Sequence, residues 1–441
     1  MDALYSHFSQ VLEQQRKANT RLVVAFSGGV DSRVLLELAH RYAQEHLLPC
    51  CAVHVHHGLS HNADQWVQSC AAWCQEKNIP LTVERVQLDL TQGNSIEEEA
   101  RNARYQALRA HINADDLLLT GQHADDQVET FLLALKRGSG PKGLSSMAQQ
   151  MPFSQGRLIR PLLDVRRQEI ERCAHAIGLH WVEDESNQDT RYDRNFLRQQ
   201  ILPALSERWP SFAASVQRSA TLCAEQEALL DELLLPVFEQ LFGEDQSLAI
   251  ALLSQQSELA RFKLLRMWLA KLGHPMPTRH QLSLIWQQVA LSQADANPIL
   301  QLNQGQVRRF NQRLYLVADN QDLSAWHAPI TLNTPLALPD GLGTIELTLS
   351  RGFGQIALPE QSEALWISFN PEGLSAHPAE RGRSRKLKKL FQEYQVPSWL
   401  RRRTPILMYH QQVVAVAGLF VDRQFIGQDC ELFWRKQSKF M

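Results

Sequence analysis

The residues best suited to chemistry form a short run near the amino terminus, Ser27-Gly28-Gly29-Val30-Asp31-Ser32. This run follows the apolar residues 22–26 and precedes apolar residues at helical spacing from Val34, which is the order of a strand, a tight turn and a helix. Paired glycines permit close backbone approach, and helix-start amides and serine hydroxyls can donate hydrogen bonds to phosphate oxygens. An ordinary glycine-rich turn is the alternative. This run matches neither the Walker pattern nor G-x-G-x-x-G, so we predict an ATP site of another kind, formed by the whole run.

A second polar block, residues 121–130, reads GQHADDQVET and follows the apolar run 117–119. On the helix that begins here, Asp126 and Glu129 are three residues apart and share a face, whereas Asp125 points elsewhere. Carboxylates beside a triphosphate suit magnesium coordination for one group and capture of a cationic substrate for the others. Helix capping is the alternative for these acids, and a core position is the alternative for His123. We expect this block to face the same crevice as the glycine-rich run.

Two further segments could complete a nucleotide pocket. Three histidines and a glycine end the apolar run 51–55, and we prefer adenine packing against His57 and Gly58 to metal binding there. On the predicted helix 96–112, Arg101 and Arg104 could reach phosphate. Surface salt bridging is an equally good account of these two arginines.

Arginines recur in the segment 181–198, where turn-forming residues lead into a predicted helix. Their spacing of three and four puts them on one helix face, and such a row of guanidinium groups can clamp phosphate or a nucleic-acid backbone. A solvated basic face is the alternative. The residues concerned are Arg191, Arg194 and Arg198.

A strongly basic segment lies at residues 381–403, with nine Lys or Arg and the single acid Glu393. Aromatic residues are interleaved with these charges. This composition favours contact with a polyanion, although a solvated helix face is the common alternative for a charge run. We predict an RNA-binding surface that includes Arg383, Arg385, Lys386, Lys388, Lys389, Arg401, Arg402 and Arg403.

The elements that must position these residues alternate between strand and helix from residue 20 to about 200. This alternation predicts an α/β domain with a parallel sheet, whose ligands bind beyond the carboxyl ends of the strands. From about residue 218 apolar residues recur at helical spacing, and after the proline-rich segment 327–339 short strands reappear. We therefore predict a catalytic α/β domain at 1–217, a helical domain at 218–325 and a small α+β domain at 326–441.

Bulk properties restrict the class of protein. The chain has 441 residues, a formal net charge of -2 and 44% hydrophobic residues, which is typical of a folded protein of two or three domains. Its amino terminus has no apolar leader, and no run approaches the length of a membrane span. The seven cysteines include no C-x-x-C pair, so neither zinc nor an iron–sulfur cluster is indicated. We expect a cytoplasmic protein with no membrane association.

Across these blocks the chain closely resembles the tRNA(Ile)-lysidine synthetase family of PP-loop enzymes, which belongs to the N-type ATP pyrophosphatases. The resemblance covers residues 21–200 and resumes near the C-terminus, and it implies an adenine nucleotide α-hydrolase-like fold for the first domain. Two positions depart from the family pattern. Gln122 stands where a histidine is frequent, and His56 stands where an asparagine is common.

The resemblance implies a two-step reaction. ATP adenylates O2 of the wobble cytidine in a CAU-anticodon tRNA(Ile), and the ε-amine of free L-lysine then attacks C2 and expels AMP. In this scheme Asp31 and Asp125 bind Mg²⁺, and Asp126 and Glu129 hold the lysine ammonium. The predicted catalytic residues are Asp31, His123, Asp126, Glu129 and Arg194. No obligate protein partner is implied.

Three other functions remain as alternatives. A PP-loop RNA thiolase would need a persulfide or cluster cysteine near the loop, and the cysteines are not suitably paired. A glutamine-dependent amidotransferase would need a nucleophilic cysteine in a glutaminase domain, whereas the chain opens Met1-Asp2-Ala3. An ATP-gated RNA-binding protein without turnover would not need the acid cluster, yet the cluster is present.

Overall fold

The structure is a computed structural model that describes residues 1–88, 96–293, 296–350 and 354–436, with the side chain of Glu97 left undescribed. It divides into two compact units, Met1–Leu230 and Asp231–Met441. Within the described residues no helix is long and apolar enough to cross a bilayer.

The first unit alternates strands and helices as predicted. Its elements are α1 (Asp2–Glu13), β1 (Leu22–Ala25), α2 (Val30–His46), β2 (Cys50–His56), α3 (Ala63–Glu76), β3 (Leu81–Arg85), α4 (Ile96–Arg109), β4 (Leu117–Leu119), α5 (Ala124–Lys136), α6 (Pro141–Leu144), β5 (Gln150–Phe153), β6 (Gly156–Ile159), α7 (Arg167–Ala176), α8 (Asp193–Phe196), a π-helical turn (Leu197–Ile201) and α9 (Leu202–Arg208). The long helix α10 (Phe212–Leu241) contributes residues to both units.

The sheet of this unit has the order β3-β2-β1-β4-β6-β5, and every neighbouring pair is parallel except β5 with β6. Successive residues of β1 point to opposite faces, and both faces are buried. Leu22 and Val24 pack with α1, α2 and α7, whereas Val23 packs with Leu108 and Ile112 beside α4. A parallel sheet with helices on both faces places its ligands at the carboxyl edge of the strands, so the predicted fold class is confirmed.

The second unit is helical at first and then mostly strands. Its elements are β7 (Leu248–Ala249), α11 (Ile250–Ser254), α12 (Glu258–Lys271), α13 (Arg279–Leu284), a second π-helical turn (Ile285–Ala290), β8 (Ile299–Gln301), β9 (Gln306–Phe310), β10 (Arg313–Val317), β11 (His327–Pro329), β12 (Leu336–Ala337), β13 (Thr344–Leu349), β14 (Leu365–Ser368), β15 (Ser375–Ala376), β16 (Arg385–Lys386), α14 (Leu387–Glu393), β17 (Ile406–Tyr409), β18 (Gln412–Val416), β19 (Phe420–Val421) and β20 (Cys430–Arg435).

The helical region carries an antiparallel sheet, β7-β10-β9-β8, that the sequence analysis missed. Its strands are short and rich in Arg and Gln, yet Val307 and Leu314 reach the same core as Trp268 of α12. The C-terminal region contains the predicted short strands, and they pair antiparallel in sheets ordered β11-β14-β17-β18-β19 and β12-β13-β20. Strands β18 and β19 are separate because the chain turns between them at Gly418, which has a φ of 72°. The boundaries of the three predicted domains stay predictions.

Candidate active site

The glycine-rich run forms a tight turn between β1 and α2, as its residue types indicate. Gly28 has a φ of 89°, and a Cβ there would lie 2.9 Å from both Cys70 Sγ and Val182 Cγ2. Ser32 Oγ accepts a hydrogen bond from the Gly28 N–H and donates to the Gly29 carbonyl, each at 3.0 Å. Ser27 Oγ lies 3.0 Å from the same hydroxyl. The turn therefore holds its own shape, and it presents the amino end of a long helix to the crevice.

The loop after β4 lies directly against this turn. A Cβ on Gly121 would lie 3.2 Å from the carbonyl carbon of Asp31 and from the Ser32 nitrogen. Because β4 is the parallel neighbour of β1, the loops at their carboxyl ends meet. The phosphate-binding candidate and the acidic block therefore face one crevice, as expected.

His123 lies among three carboxylates at the centre of this crevice and is 1% exposed. Its Nε2 lies 3.4 Å from Asp126 Oδ2 and 3.7 Å from Asp31 Oδ1, and its Nδ1 lies 3.6 Å from Asp125 Oδ2. Burial lowers the pKa of His123, but contact with Asp125 and the charges of Asp126 and Asp31 outweigh burial and raise that pKa. The three carboxylates therefore shift the titration of this histidine toward higher pH.

Asp125 turns away from Asp126, and the two carboxylates have different environments. Asp125 Oδ2 accepts the backbone N–H of Arg167 at 2.8 Å. Contact with His123 and this backbone hydrogen bond lower the pKa of Asp125 to about 2. Asp126 Oδ2 instead accepts the His123 N–H at 3.0 Å, which caps α5. Capping therefore accounts for one oxygen of Asp126 and leaves the other for the crevice.

The oxygen donors near the glycine-rich turn fit a magnesium ion that is bound mainly through nucleotide phosphates. Asp31 Oδ1 is buried without a hydrogen-bond partner, and Oδ2 lies 3.7 Å from Arg167 Nη1. Burial raises the pKa of Asp31 despite these neighbouring cations. Among the described residues, no group of three or more His, Cys, Asp or Glu side chains could hold a metal ion by itself. Magnesium commonly takes only one or two protein carboxylates beside phosphate, so Asp31 and Asp125 stay predicted ligands.

Glu129 is fully buried on the next turn of α5 and contacts two arginines. Arg198 Nε and Nη2 donate to its two carboxylate oxygens at 2.7 Å and 3.0 Å, and Arg198 Nη2 also donates to Asp126 Oδ1 at 3.2 Å. Arg194 Nε lies 4.0 Å from Glu129 Oε2, and its Nη2 donates to Thr130 Oγ1 at 3.3 Å. Burial raises the pKa of Glu129 against the opposing charge of Arg198. Asp126 and Glu129 thus form one buried anionic pair, as their spacing predicts.

The arginines of the 181–198 segment do not form the expected single row. Helix α8 begins only at Asp193, so Arg191 precedes it, pairs with Asp189 at 2.6 Å and is 88% exposed. The expectation that Arg191 shares a helix face with Arg194 and Arg198 is therefore wrong. The other two do converge, on Glu129, and in this structure they bind carboxylate.

The remaining nucleotide candidates lie along β2 and α4. His57 directly follows the carboxyl end of β2, and burial followed by the charge of Arg104 lowers its pKa to about 4. Gly58 has a φ of 71° and open space around it. Arg101 and Arg104 are exposed on α4, with the Arg101 guanidinium 5.4 Å from the centre of the Tyr105 ring. Roles for these residues in ATP binding stay predictions.

Two arginines at the same sheet edge were not predicted from the sequence. Arg167, at the start of α7, contacts Asp31 and Asp125 as described above. Arg160 directly follows β6, is buried, and donates to the Ala148 carbonyl at 2.6 Å. A basic residue immediately after a parallel strand is the signal that could have found Arg160. The backbone also closes over the turn, since the Val182 N–H donates to the Gly28 carbonyl at 3.0 Å.

The basic C-terminal segment forms β16, α14 and a short 3-10 turn. Helix α14 buries Leu387, Leu390 and Phe391 and leaves its basic residues outside. The exposed basic side chains are Arg383, Lys386, Lys388, Lys389 and Arg402.

The other basic residues of this segment are less accessible. Arg385 pairs with Glu393, and burial lowers the pKa of the half-buried Arg401. Arg403 is 5% exposed and donates to Asp340 Oδ2 at 2.8 Å, which favours a structural role for this residue.

Comparison with known proteins gives the family. Residues 3–205 match the PP-loop domain, residues 248–315 the TilS substrate binding domain and residues 365–437 the TilS substrate C-terminal domain. The chain is 99% identical over 436 residues to the tRNA(Ile)-lysidine synthase of Vibrio vulnificus (strain CMCP6), covering 99% of this chain and 100% of that protein. It is 63% identical over 438 residues to that of Vibrio parahaemolyticus, with 99% and 100% covered.

Among solved structures, the U34-tRNA thiolase NcsA from Methanococcus maripaludis aligns with 51% of this chain and 78% of its own, with a TM-score of 0.43 and 16% identity. Family membership depends on the curated relatives, which match this chain over nearly its whole length. The chain belongs to the tRNA(Ile)-lysidine synthase family.

Proposed function

We propose that this protein uses ATP and Mg²⁺ to join L-lysine to C2 of the wobble cytidine in a CAU-anticodon tRNA(Ile), with release of AMP and pyrophosphate. Family membership supports the reaction. The structural observation that best supports this reaction is that the glycine-rich turn and the buried pair Asp126 and Glu129 lie at the same edge of the sheet. The turn suits the phosphates of ATP, and the carboxylate pair suits the ammonium group of lysine.

In the first step, cytidine O2 attacks the α-phosphorus of ATP. A bond forms between that oxygen and the phosphorus, and the bond to the bridging oxygen breaks as pyrophosphate leaves. The amides and hydroxyls of the 27–32 turn hold the phosphates, and the first turn of α2 favours the charge that develops on the leaving group. His57 and Gly58 pack against the adenine, and Arg101 and Arg104 are candidates for phosphate contact.

A bound magnesium ion would neutralise charge on the pyrophosphate, and Asp31 and Asp125 would hold it. Asp31 Oδ1, buried and without a hydrogen-bond partner, supports this assignment. His123 keeps both carboxylates and Asp126 in position through the contacts described above. Arg167 holds Asp125 through its backbone amide.

In the second step, the ε-amine of lysine attacks C2 of the adenylated cytidine, and AMP leaves with the bonding electrons. Asp126 and Glu129 bind the ammonium group before this attack. The ammonium must first lose a proton, and Glu129 is the preferred acceptor because burial raises the pKa of its carboxyl. Arg194, beside Glu129 and Thr130, is placed to contact the phosphate of the activated cytidine.

The basic segment 381–403 would bind the tRNA backbone, with Lys388 and Lys389 on the exposed side of α14 and Lys386 exposed directly before it. Such contacts position a substrate without reading its sequence, so recognition of the anticodon belongs to other residues. We assign catalysis to residues 1–217, substrate binding to 218–325 and tRNA binding to 326–441. The protein would act in the cytoplasm, without a membrane or an obligate protein partner.

The test is incubation of the full-length protein with ATP, Mg²⁺, labelled lysine and transcribed CAU-anticodon tRNA(Ile), followed by mass spectrometry of the nucleosides. We expect lysine at the wobble cytidine together with AMP and pyrophosphate. Release of pyrophosphate without lysine transfer would leave the ATP chemistry and refute lysine as the acceptor. Absence of both products from folded protein would refute the enzymatic function.

Asp126→Asn tests the assignment of the anionic pair. It should abolish lysine transfer and leave tRNA affinity nearly unchanged, since Asp126 lies inside the crevice. Asp2→Asn is the matched control, because Asp2 is exposed and pairs only with Arg41 among the contacts of the described residues. Full activity of Asp126→Asn would refute the role of that carboxylate.

A further inference from the structure

The binding place proposed for the lysine ammonium already contains a cation, the guanidinium of Arg198. The buried pair offers four carboxylate oxygens. Arg198 donates to both oxygens of Glu129 and to Oδ1 of Asp126, and the remaining oxygen, Asp126 Oδ2, accepts the His123 amide. A second cation can therefore bind this pair closely only where Arg198 gives up its contacts.

The pair needs a cation whether or not lysine is present. Glu129 is fully buried and Asp126 nearly so, and an uncompensated carboxylate at such a depth is costly. An arginine fork satisfies two carboxylates at once, and a lysine ammonium, with three donors, can do the same. The two groups thus compete for the same oxygens with the same chemistry.

Arg198 is placed so that it can leave. Its side chain is 29% exposed, so part of it reaches solvent while its guanidinium contacts the pair. It lies on the π-helical turn Leu197–Ile201, an irregular turn of a kind found frequently at functional sites. The neighbouring helices α8 and α9 are short, with four and seven residues. Movement of this arginine therefore does not require a long regular helix to break.

We propose that Arg198 is a displaceable internal cation that occupies the lysine site of the resting protein, so that lysine binds only by displacing it. This inference rests on the proposed function, because it takes lysine as the incoming cation. A released guanidinium is then free to bind phosphate, which is the role that the sequence predicted for it. Lysine affinity and tRNA binding are thereby linked through one side chain.

The test compares the affinity of free L-lysine for the tRNA-free, full-length protein and two variants by calorimetry at pH 8. Arg198→Met removes the competing cation and should bind lysine roughly tenfold more tightly than the wild type, the factor expected for loss of one charged hydrogen-bonded competitor. Arg198→Lys keeps a cation in place and should stay within about threefold of the wild type. Arg137→Met is the matched control, because Arg137 is exposed at the end of α5 and should leave lysine affinity unchanged.

Equal or weaker lysine binding by folded Arg198→Met would overturn the inference, since that result would show that Arg198 supports the pair and does not compete for it. A second measurement needs no destabilising variant. The Arg198 Nε–H, which donates to Glu129 at 2.7 Å, should give a protected NMR signal in the wild type that loses protection when lysine saturates the protein. Retained protection at saturation would also overturn it. Absence of any lysine incorporation by the wild type would instead refute the proposed function.

Discussion

Replacement of Gly28 by alanine should destabilise the first unit through two separate effects. A residue with a Cβ at a φ of 89° pays about 1–2 kcal/mol for the left-handed conformation. The new methyl would also lie 2.9 Å from Cys70 Sγ and Val182 Cγ2, and overpacking of this kind costs about 1–3 kcal/mol. We expect a total loss of about 3 kcal/mol. For a unit of the size of Met1–Leu230, this is a decrease in melting temperature of roughly 6–12 °C.

Gly29→Ala is the matched control. Gly29 has a φ of -70°, and a Cβ there would meet Ser27 Oγ at 3.8 Å and the Val182 carbonyl at 4.0 Å, which are ordinary contacts. Its melting temperature should stay within about 2 °C of the wild type. Its affinity for ATP should nevertheless decrease about tenfold, because a methyl group at the helix start obstructs the approach of phosphate.

Scanning calorimetry with and without an ATP analogue measures both effects, and the transition that the analogue raises identifies the first unit. Coincident melting of Gly28→Ala and the wild type would refute the backbone argument. Equal losses of stability in the two alanine variants would show that crowding by any added methyl group, and not the backbone conformation of Gly28, causes the loss.

Three further predictions concern other parts of the chain. Three exposed lysines, Lys386, Lys388 and Lys389, can be replaced together by glutamine. This change should weaken tRNA binding and reduce the slope of log affinity against log salt by roughly two to three. An unchanged slope in filter binding would exclude these residues from the interface. Arg403→Met should cost the second unit about 2–3 kcal/mol in thermal unfolding, because it removes the buried arginine that pairs with Asp340, whereas Arg402→Met at an exposed pair should cost under about 1 kcal/mol. The pKa of His57 is lowered to about 4, so its side chain stays neutral in the folded state down to that pH. In the unfolded chain the same side chain takes up a proton below about pH 6.5. His57 therefore lowers the free energy of unfolding as the pH falls from 6.5 to 4. His57→Gln should therefore show a smaller decrease in melting temperature over that range, and identical pH profiles would contradict the assignment.

The fold of the first unit could be predicted from the sequence because the patterns that indicate its strands, helices and turns are local. The glycines of the 27–32 turn, the apolar runs of the strands and the helical spacing between them each appear within a few residues. The parallel sheet follows from their alternation, and it brings Asp31 and Asp126 to one edge although they are far apart in sequence. Contact between the two loops was thus predictable without any knowledge of side-chain positions.

The rest depended on tertiary contacts. Arg198 and Glu129 are 69 residues apart, and no local pattern shows that this arginine pairs with a carboxylate rather than with phosphate. Strand β9, Gln306–Phe310, has a polar sequence whose burial depends on α12 and on its neighbours in the sheet. Arg191 was placed on a helix because the spacing fits, whereas the turn closed by Asp189 delays the start of that helix.

A methyl group on Gly121 would lie 3.2 Å from the backbone of Asp31 and Ser32, a tight contact that requires the neighbouring backbone to shift by a few tenths of an ångström. The two loops are closely packed at this contact, and close-packed protein interiors have low compressibility and transmit strain. A shift in the first turn of α2 would therefore press on Gly121, which lies three residues before α5 begins at Ala124. The turn predicted to bind phosphate and the loop that leads into the helix carrying Asp126 and Glu129 are therefore in direct backbone contact, and this contact is a path by which a displacement in one can reach the other.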